Sequence, residues 1–589
     1  MVHQYQQITY KNIYPNIDVV FSIPKDSLKP VEYNFVVHPK GKISDIQLKF
    51  NGAKTELVDN KIRMQVRFGD LEETLPMSWT EDGKTKKEIA VGYTKIKKNV
   101  YGFASAENVS GKTVVIDPVP MRLWGTFYGD ERNIHYTLGD ASISTDSSGN
   151  AYMTGTTTAS NSSYTTTGAH QSSIPPYHYG SSNGIIVKFS TDGNRLWGTY
   201  YGGEGLNSIN DLKVDSQNNL VITGKTPSTS NISTTGTYKP NISGDSDAFL
   251  VKFNDSGIRL WGTYFGGESS DSAYALDLDK DNNIYIVGVT SSKTNIAMNS
   301  NFQTHLNDGY YTSDGFLAKF KFDGNLIWST YVGGEDRDAL ETIVVKDNYL
   351  ITGGYTNSFT NISTIGVFQE NHSLVTHDEG VVYKFSLNGQ RIWATYYGGE
   401  YTDYVYTVET DNDDDIYLGG MTGSKTNMTT PGCFDSSGQT YGGFFAKLDS
   451  NGRRIWGSYL GDAIVYSIIF KNNSIYLGAT NNSSWSTNLT TPCAYIPNNY
   501  NYSQGYIGKF TKQGNFIWGT FVGGWSTFET TRIAFDNNNS IFVAGISMQA
   551  AGIADSNSYQ SSVLGSSNYF LMKFSENSLS QPNTSSNSP

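Results

Sequence analysis

From about residue 121 onward, short apolar runs alternate with polar, glycine-bearing turns, and the same order of runs comes round again and again. One run ends on Gly-x-Thr/Ser. Its copies place glycines at 155, 224, 288, 354, 420, 478 and 545. A second run closes on Lys-Phe or Lys-Leu, with lysines at 188, 252, 319, 384, 447, 509 and 573. A third carries a tryptophan, at 124, 197, 261, 328, 393, 456 and 518, in strings such as RLWGTYYGG. The tryptophans are spaced 73, 64, 67, 65, 63 and 62 residues apart, and each of the first six lysines lies nine residues before a tryptophan. These β-branched and aromatic runs bounded by Gly, Asn, Asp and Ser read as strands. Self-similarity at a nearly fixed period reads as a repeat architecture.

Each unit therefore has four strands. Strand a follows Gly-Gly, as at Tyr274–Leu278. A polar turn such as Lys280–Asn283 leads to strand b, the Gly-x-Thr strand. A connection of about 20–27 residues leads to strand c, the Lys-Phe strand. A glycine turn such as Ser190–Gly193 leads to strand d with its tryptophan. Four-stranded units of this kind are propeller blades. The region opens on a lone strand d, Arg122–Tyr128, and closes on a lone a-b-c set ending at Phe574. The first strand d is thus expected to complete the last blade, because an unpaired sheet edge is a liability. The fold predicted is all-β: a seven-bladed β-propeller closed by an amino-terminal outer strand. A tryptophan buried between blades would contribute about 2–3 kcal/mol.

Composition agrees. The chain has 589 residues with 60 Gly and 40 Tyr, 13% aromatic and 17% charged. That load, poor in Ala and Leu, disfavours a helical bundle and full disorder. Mean hydropathy is −0.40, and no apolar run reaches the length a membrane helix needs. The net charge of −12 is uneven: about +3 over residues 1–120 and −15 over the rest. An acidic major part disfavours a nucleic-acid partner. The two cysteines, Cys433 and Cys493, cannot build a disulfide framework or a four-thiolate metal site. They sit at similar places in adjacent b–c connections, where a pairing would need close Cα atoms. The polar start Met1–Gln4 is not a signal peptide, which leaves a mature or truncated chain or a cytoplasmic one.

The unit LWGTYYGG…IYIVG-x-T…TTGAHQ…DGFLAKF resembles the SBBP repeat, the seven-bladed β-propeller repeat of bacterial and archaeal surface proteins, over about residues 121–575. The resemblance implies extracellular or cell-surface placement and no one catalytic activity. Two departures stand out: strand b of blade 6 looks shortened, and blade 7 has Trp525 where others have Gly-Gly-Glu. Residues 1–115 carry no such unit. Their runs at 17–21, 33–37, 46–50 and 64–68 predict a β-sandwich-like domain. YKNIYPNIDVVF and YNFVVHPKGKISDIQLKFNG resemble the uncharacterised β-rich domain that often precedes SBBP repeats. Residues 116–121 form the expected hinge, 122–575 the propeller, and 576–589 a Ser/Asn/Pro-rich disordered tail or linker.

The d–a and b–c connections should share one face of the disc, and propellers commonly bind through such a face. These loops are rich in Ser, Thr, Asn and Tyr, and Tyr offers a rigid plate with a polar tip. The d–a loops hold acids at matched places: Glu131, Glu204, Glu268, Glu335, Glu400 and Asp462. Two readings stand for them. They bond neighbouring loop amides, or they ring the channel mouth and bind a ligand or a hard cation such as Ca²⁺. Glu204, Glu268, Glu335, Glu400 and Trp525 are the ligand-binding candidates. Asp277, Asp279 and Asp281, and the run Asp411–Asp415, lack the full calcium-loop spacing and also suit tight turns. They are the metal candidates. The strand-c lysines read as structural. His372 and His377 share one loop beside Asp378 and Glu379; Arg132, Arg337 and Arg532 fall near the expected binding face. No G-x-S-x-G, H-E-x-x-H or full P-loop occurs.

The leading expectation is a non-enzymatic secreted or cell-surface scaffold, monomeric or part of a larger surface assembly. It would bind a glycan or protein through the loop face, with no catalytic residue and no obligatory cofactor. The rival is a carbohydrate-active hydrolase or lyase using the acidic ring, which would need paired carboxylates with one pKa raised. A third reading is a spacer module in a longer surface protein.

Overall fold

The computed structural model describes residues 7–22, 32–51, 54–58, 61–66, 69–73, 77–82, 85–89, 91–105, 109, 111–117, 121–129, 141–158, 164–174, 181–307, 313–373, 377–438, 441–482, 489–490, 496, 503–523, 531–548, 553–555, 558–565 and 567–575. It divides into two compact units, one made chiefly of Met1–Leu123, the other of Trp124–Thr490 and Asn499–Lys573. The tail at 576–589 and part of the expected hinge lie outside the described residues.

In the first unit a six-stranded sheet runs Gln7–Tyr14, Ile17–Ser22, Glu32–Val37, Thr113–Asp117, Met77–Asp82 and Thr85–Glu88. Val91–Lys97, Val100–Ser105 and Gln47–Lys49 make a second sheet, and Lys54–Val58, Lys61–Val66 and Gly69–Glu73 a third. Ile17 and Val19, Phe35 and Val37 alternate inward from the first sheet and meet Tyr101 and Phe103 of the second in one core. The architecture is sandwich-like. The sequence reading found four of these twelve strands. It missed Gln7–Tyr14, Thr113–Asp117 and, between residues 54 and 105, every strand but Lys61–Val66.

Among the described residues, the second unit is a ring of seven four-stranded sheets. Blade 1 spans residues 142–201, blade 2 208–265, blade 3 271–332, blade 4 338–397, blade 5 403–459 and blade 6 463–522. Blade 7 combines Arg532–Phe535, Ile541–Ser547 and Asn568–Ser575 with Met121–Tyr128 as its outer strand. The amino-terminal strand therefore closes the ring as expected. Blade 7 also abuts blade 1: Thr145 Oγ1 donates to the Phe535 carbonyl at 2.6 Å, and the Thr156 amide to the Tyr569 hydroxyl at 2.6 Å.

Strands a of successive blades neighbour one another and line the axis. Strand b is sandwiched between blades, so both its faces are apolar: Ile284, Tyr285, Ile286 and Val287 are all fully buried. This explains why it reads as a continuous apolar run rather than an alternating one. The b–c connections do more than top the blades. They descend along strand d, where the Thr234 amide bonds the Gly262 carbonyl and the Tyr264 amide the Lys239 carbonyl. Blades 1, 3, 4, 5 and 7 repeat the arrangement. Each covers an outer edge that would otherwise template association.

Two expectations are corrected. Strand b of blade 6, Ser474–Asn481, is full length. What is short is its a–b turn, Asn472-Asn473, both at positive φ, the type I′ geometry of a two-residue hairpin. The tryptophans are also less buried than expected. Trp328 and Trp393 are 5% and 6% exposed, but Trp124, Trp197, Trp261, Trp456 and Trp518 are half-buried at the seams between blades.

Candidate functional site

The Gly-x-Thr signature has its cause at the loop face. Registers in blades 2 to 6 shift within strand a, leaving one extra residue unopposed: Asn210, Tyr274, Glu341, Tyr406 and Tyr466. In blades 2 to 5 the strand-b glycine faces this bulge, and a Cβ on Gly224 would collide with the Ser208 carbonyl. The threonine two residues on ties back to the first residue of strand a: Thr290 to Asp271, Thr422 to Asp403. That acid also accepts bonds from the second glycine of Gly-Gly and from a serine, as Asp271 does from the Gly267 amide at 2.8 Å and Ser292 at 2.9 Å.

The loop glutamates are struts. Glu268 Oε1 accepts from the Lys293 amide at 2.8 Å, and its Oε2 from the Thr294 amide at 3.1 Å and hydroxyl at 2.5 Å. Glu335 does the same with Phe359 and Thr360, Glu400 with Lys425 and Thr426, and Glu204 with Thr229 and Ser230. Each clips the d–a loop to the b–c connection of its own blade. Desolvation opposes ionisation, but these bonds outweigh it. They hold Glu268, Glu335 and Glu400 below the usual carboxylate range and Glu204 down to about 2.

The aspartates of the a–b turns do local work too. Asp279 accepts from the amides of Asp281 and Asn283 at 3.0 and 2.8 Å and lies 3.5 Å from Lys319. Asp277 takes the Val345 amide of the next blade at 2.7 Å. The Asp-to-lysine pairing recurs as Asp146–Lys188, Asp215–Lys252, Asp411–Lys447 and Asp536–Lys573, at 2.8–3.3 Å. Among the described residues, no group of three or more His, Cys, Asp or Glu is placed to hold a metal ion.

What breaks the repeat gathers at the inner rim of blades 4 to 6. Arg337, in the d–a loop of blade 4, grips Asp378 through one guanidinium nitrogen at 2.8 and 2.7 Å, and the Tyr404 hydroxyl donates to the same carboxylate at 2.7 Å. This bonding holds the Arg337 pKa above its ordinary value. Tyr355 stands edge-on to Tyr404, centroids 4.8 Å apart, under the Arg337 guanidinium. Tyr404, Tyr406 and Tyr466 follow in a near-parallel row at 5.7 and 5.3 Å, and Arg532 donates to the Tyr466 carbonyl at 2.5 Å. All four tyrosines are half-buried, and the Arg337 side chain is 51% exposed. The sequence reading singled out Arg337 but missed Asp378 as its partner, and Tyr355, Tyr404, Tyr406 and Tyr466 altogether. A signal existed. Counted from the Gly-Gly-Glu motif, the bulge position changes from blade to blade (Asn210, Tyr274, Glu341, Tyr406) within an otherwise constant frame.

Of the remaining candidates, His372 lies 3.3 Å from Glu379, and His377 packs against Tyr401. Cys433 is half-buried with its Sγ 3.3 Å from the Asp435 carbonyl. Trp525, Glu131, Arg132 and Cys493 lie outside the described residues.

Comparison with known proteins agrees with this frame. A family described as beta-propeller repeat, SBBP, matches residues 260–296, which run from strand d of blade 2 into the b–c connection of blade 3. A domain of unknown function, DUF7948, matches residues 1–119. The chain carries an SBBP repeat within its propeller and a DUF7948 domain at its amino terminus. The chain is also 23% identical over 437 residues to an uncharacterized WD repeat-containing protein, L264, of Acanthamoeba polyphaga mimivirus. That match covers 62% of this chain and 31% of the viral protein. Among solved structures it is similar to a protein of unknown function from Dyadobacter fermentans (TM-score 0.37, 10% identity, 78% of this chain and 100% of that one). It is also similar to a gluconolactonase from Xanthomonas campestris (0.28, 10%, 60% and 84%) and a europium-containing methanol dehydrogenase (0.33, 11%, 90% and 92%). No helix among the described residues is long and apolar enough to cross a membrane.

Proposed function

We propose that this SBBP protein is a non-enzymatic, secreted or cell-surface scaffold that binds a glycan or protein ligand through the loop face of its propeller. One observation carries the reading: the Arg337–Asp378–Tyr404 clasp and its row of tyrosines occupy one sector of an otherwise repeated rim. A feature shared by most blades serves the frame; a feature confined to one sector is free to serve a ligand. Half-buried tyrosines with polar tips beside an exposed guanidinium are the side chains that binding surfaces favour. The matched glutamates support the same reading. Held ionised and bonded to loop amides, they do not match the raised pKa a glycosidase acid needs.

The test is a glycan array together with a panel of cell-surface protein ectodomains, probed with the full chain and with a Tyr404→Ala/Tyr406→Ala variant. A ligand bound by the native chain and lost by at least tenfold in the variant, at unchanged thermal stability, is the expected result. Binding that survives the variant moves the site elsewhere. Turnover of an arrayed glycan overturns the non-enzymatic reading.

A further inference from the structure

At three successive junctions of the loop face, the first residue of strand c in one blade and the first of strand a in the next are both acids. They press on the same glycine. Asp247 and Asp271 flank Gly266; Asp314 and Asp338 flank Gly333; Glu379 and Asp403 flank Gly398. At the junction of blades 1 and 2 the corresponding residues are neutral amides, Asn183 and Asn207, flanking Gly202. The acids differ in what offsets them. Asp247 has the Lys239 ammonium at 2.6 Å, and Glu379 has the His372 ring at 3.3 Å. In blade 3 the place of Lys239 in the repeat is taken by Gln303, whose amide donates to Asp314 at 2.6 Å and supplies no charge.

The Asp314–Asp338 pair is thus the one that, among the described residues, has neither an ammonium nor an imidazole beside it. The two carboxylates stand 2.7 and 2.6 Å from where a Gly333 Cβ would lie, and they are 0% and 2% exposed. Around Asp314 lie Gln303 and the Asn307 backbone. Around Asp338 lie the Gly334 amide, Ser358 and Thr356, with Glu335 as a further negative charge. The phenols that feel the pair are Tyr331, Tyr355, Tyr383 and Tyr396. Among the described residues no cation pairs with either acid. Two like charges this close in a dry site cannot both ionise cheaply.

We propose that Asp314 and Asp338 form a proton-held latch: a proton on the pair closes the junction of blades 3 and 4, and its loss pushes the Glu335–Arg337 loop outward and loosens the Arg337–Asp378 clasp. The coupling is covalent and short. Arg337 directly precedes Asp338, just as Asp378 precedes Glu379 and Tyr404 follows Asp403. The proposal rests on the binding reading only in taking that clasp as the ligand site. Burial lifts Asp338 to about 7 and, with the added repulsion of Asp338, Asp314 to about 8, against an ordinary 3.8. Since the native state holds protons the unfolded chain has released, the stabilisation is complete below about 3.8. It is lost as pH rises through about 7 to 8.

Hydrogen exchange and thermal melting of the full chain between pH 5 and 9 test this without any ligand. Protection of the amides at 334–338, corrected for intrinsic exchange, should fall as pH rises from 5, by about tenfold per pH unit for each proton that opening releases, and level off above about pH 8. Asp314→Asn should flatten that fall, and so should Gln303→Lys, which imports the ammonium of the neighbouring junction. Constant protection in the native chain overturns the latch even if neither variant folds. A wild-type profile in both folded variants overturns it as well. Because no ligand enters, failure here leaves the binding reading standing, and absence of a ligand leaves the latch standing.

Discussion

Trp124 lies across the seam of the ring on Gly193: its indole N–H donates to the Thr191 carbonyl at 2.8 Å, and its Cδ2 stands 2.9 Å from where a Gly193 Cβ would be. Gly193 has φ +81°, so it is glycine for two reasons, conformation and space. The contact joins blade 7 to blade 1. Its counterparts, Trp197 on Gly257 through Trp456 on Gly514, join every pair of blades up to blade 6. One clamp, used repeatedly, both holds neighbouring sheets together and shuts the wheel.

Substituting either partner should therefore open the seam. Trp124→Ala is expected to cost about 3 kcal/mol, at the low end for tryptophan truncation because the ring is only half-buried. Gly193→Ala should cost about 1–3 kcal/mol through strain and overpacking. Urea unfolding followed by tryptophan fluorescence measures both. Equal stability of Trp124→Ala and the native chain would count against a closed ring.

The buried ion pairs make a contrast between blades. Lys252 and Asp215 are 5% and 1% exposed at 2.8 Å, so Lys252→Met strands a buried carboxylate and should cost about 3–5 kcal/mol. Lys384 of blade 4 has no such aspartate among the described residues. Its ammonium bonds the Ser450 carbonyl and sits 4.0 Å over the Tyr349 ring, and burial depresses its pKa. Lys384→Met should cost less than about 1.5 kcal/mol. Thermal melts of the two variants side by side decide it.

Two opposed families of carboxylates set the pH of maximal stability. The loop glutamates are depressed, so their contribution is present above about 4.5 and lost as pH falls toward about 2. The junction acids are raised, Asp271 to about 6 and Asp338 and Asp403 to about 7, so stability declines as pH climbs from about 4 through those values. Melting temperature plotted against pH should peak near pH 5, on the acid side of neutrality. A peak at pH 8 would contradict the assignment.

Replacing residues 235–241 by a short Gly-Ser link removes the segment whose Lys239 carbonyl and amide hold Tyr264 and Thr263 of strand d. The bared edge should make the chain associate with rising concentration while the monomer keeps its β-sheet signature. Size-exclusion chromatography with light scattering across a concentration series reads this directly.

The tryptophan, lysine and glycine spacings determined the frame by themselves: four strands per unit, seven units, and a lone strand d at one end that had to meet an a-b-c set at the other. That much is legible because each mark answers a local need repeated in register, a turn glycine or an apolar run between blades. The shortening expected in strand b of blade 6 lies instead in its two-residue a–b turn. The roles of the acids were only half-legible. Whether Glu268 points to a ligand or to the amides of Lys293 and Thr294 depends on how a loop 25 residues further on folds back.

Only the tertiary structure decided the clasp and the latch. Arg337, Asp378 and Tyr404 come from a d–a loop, the end of a b–c connection and the following blade; Asp314 and Asp338 come from different sheets. Spacing along the chain carries no trace of such meetings, because they arise from the ring's closure and the bulge of strand a, which turn residues distant in sequence toward one rim.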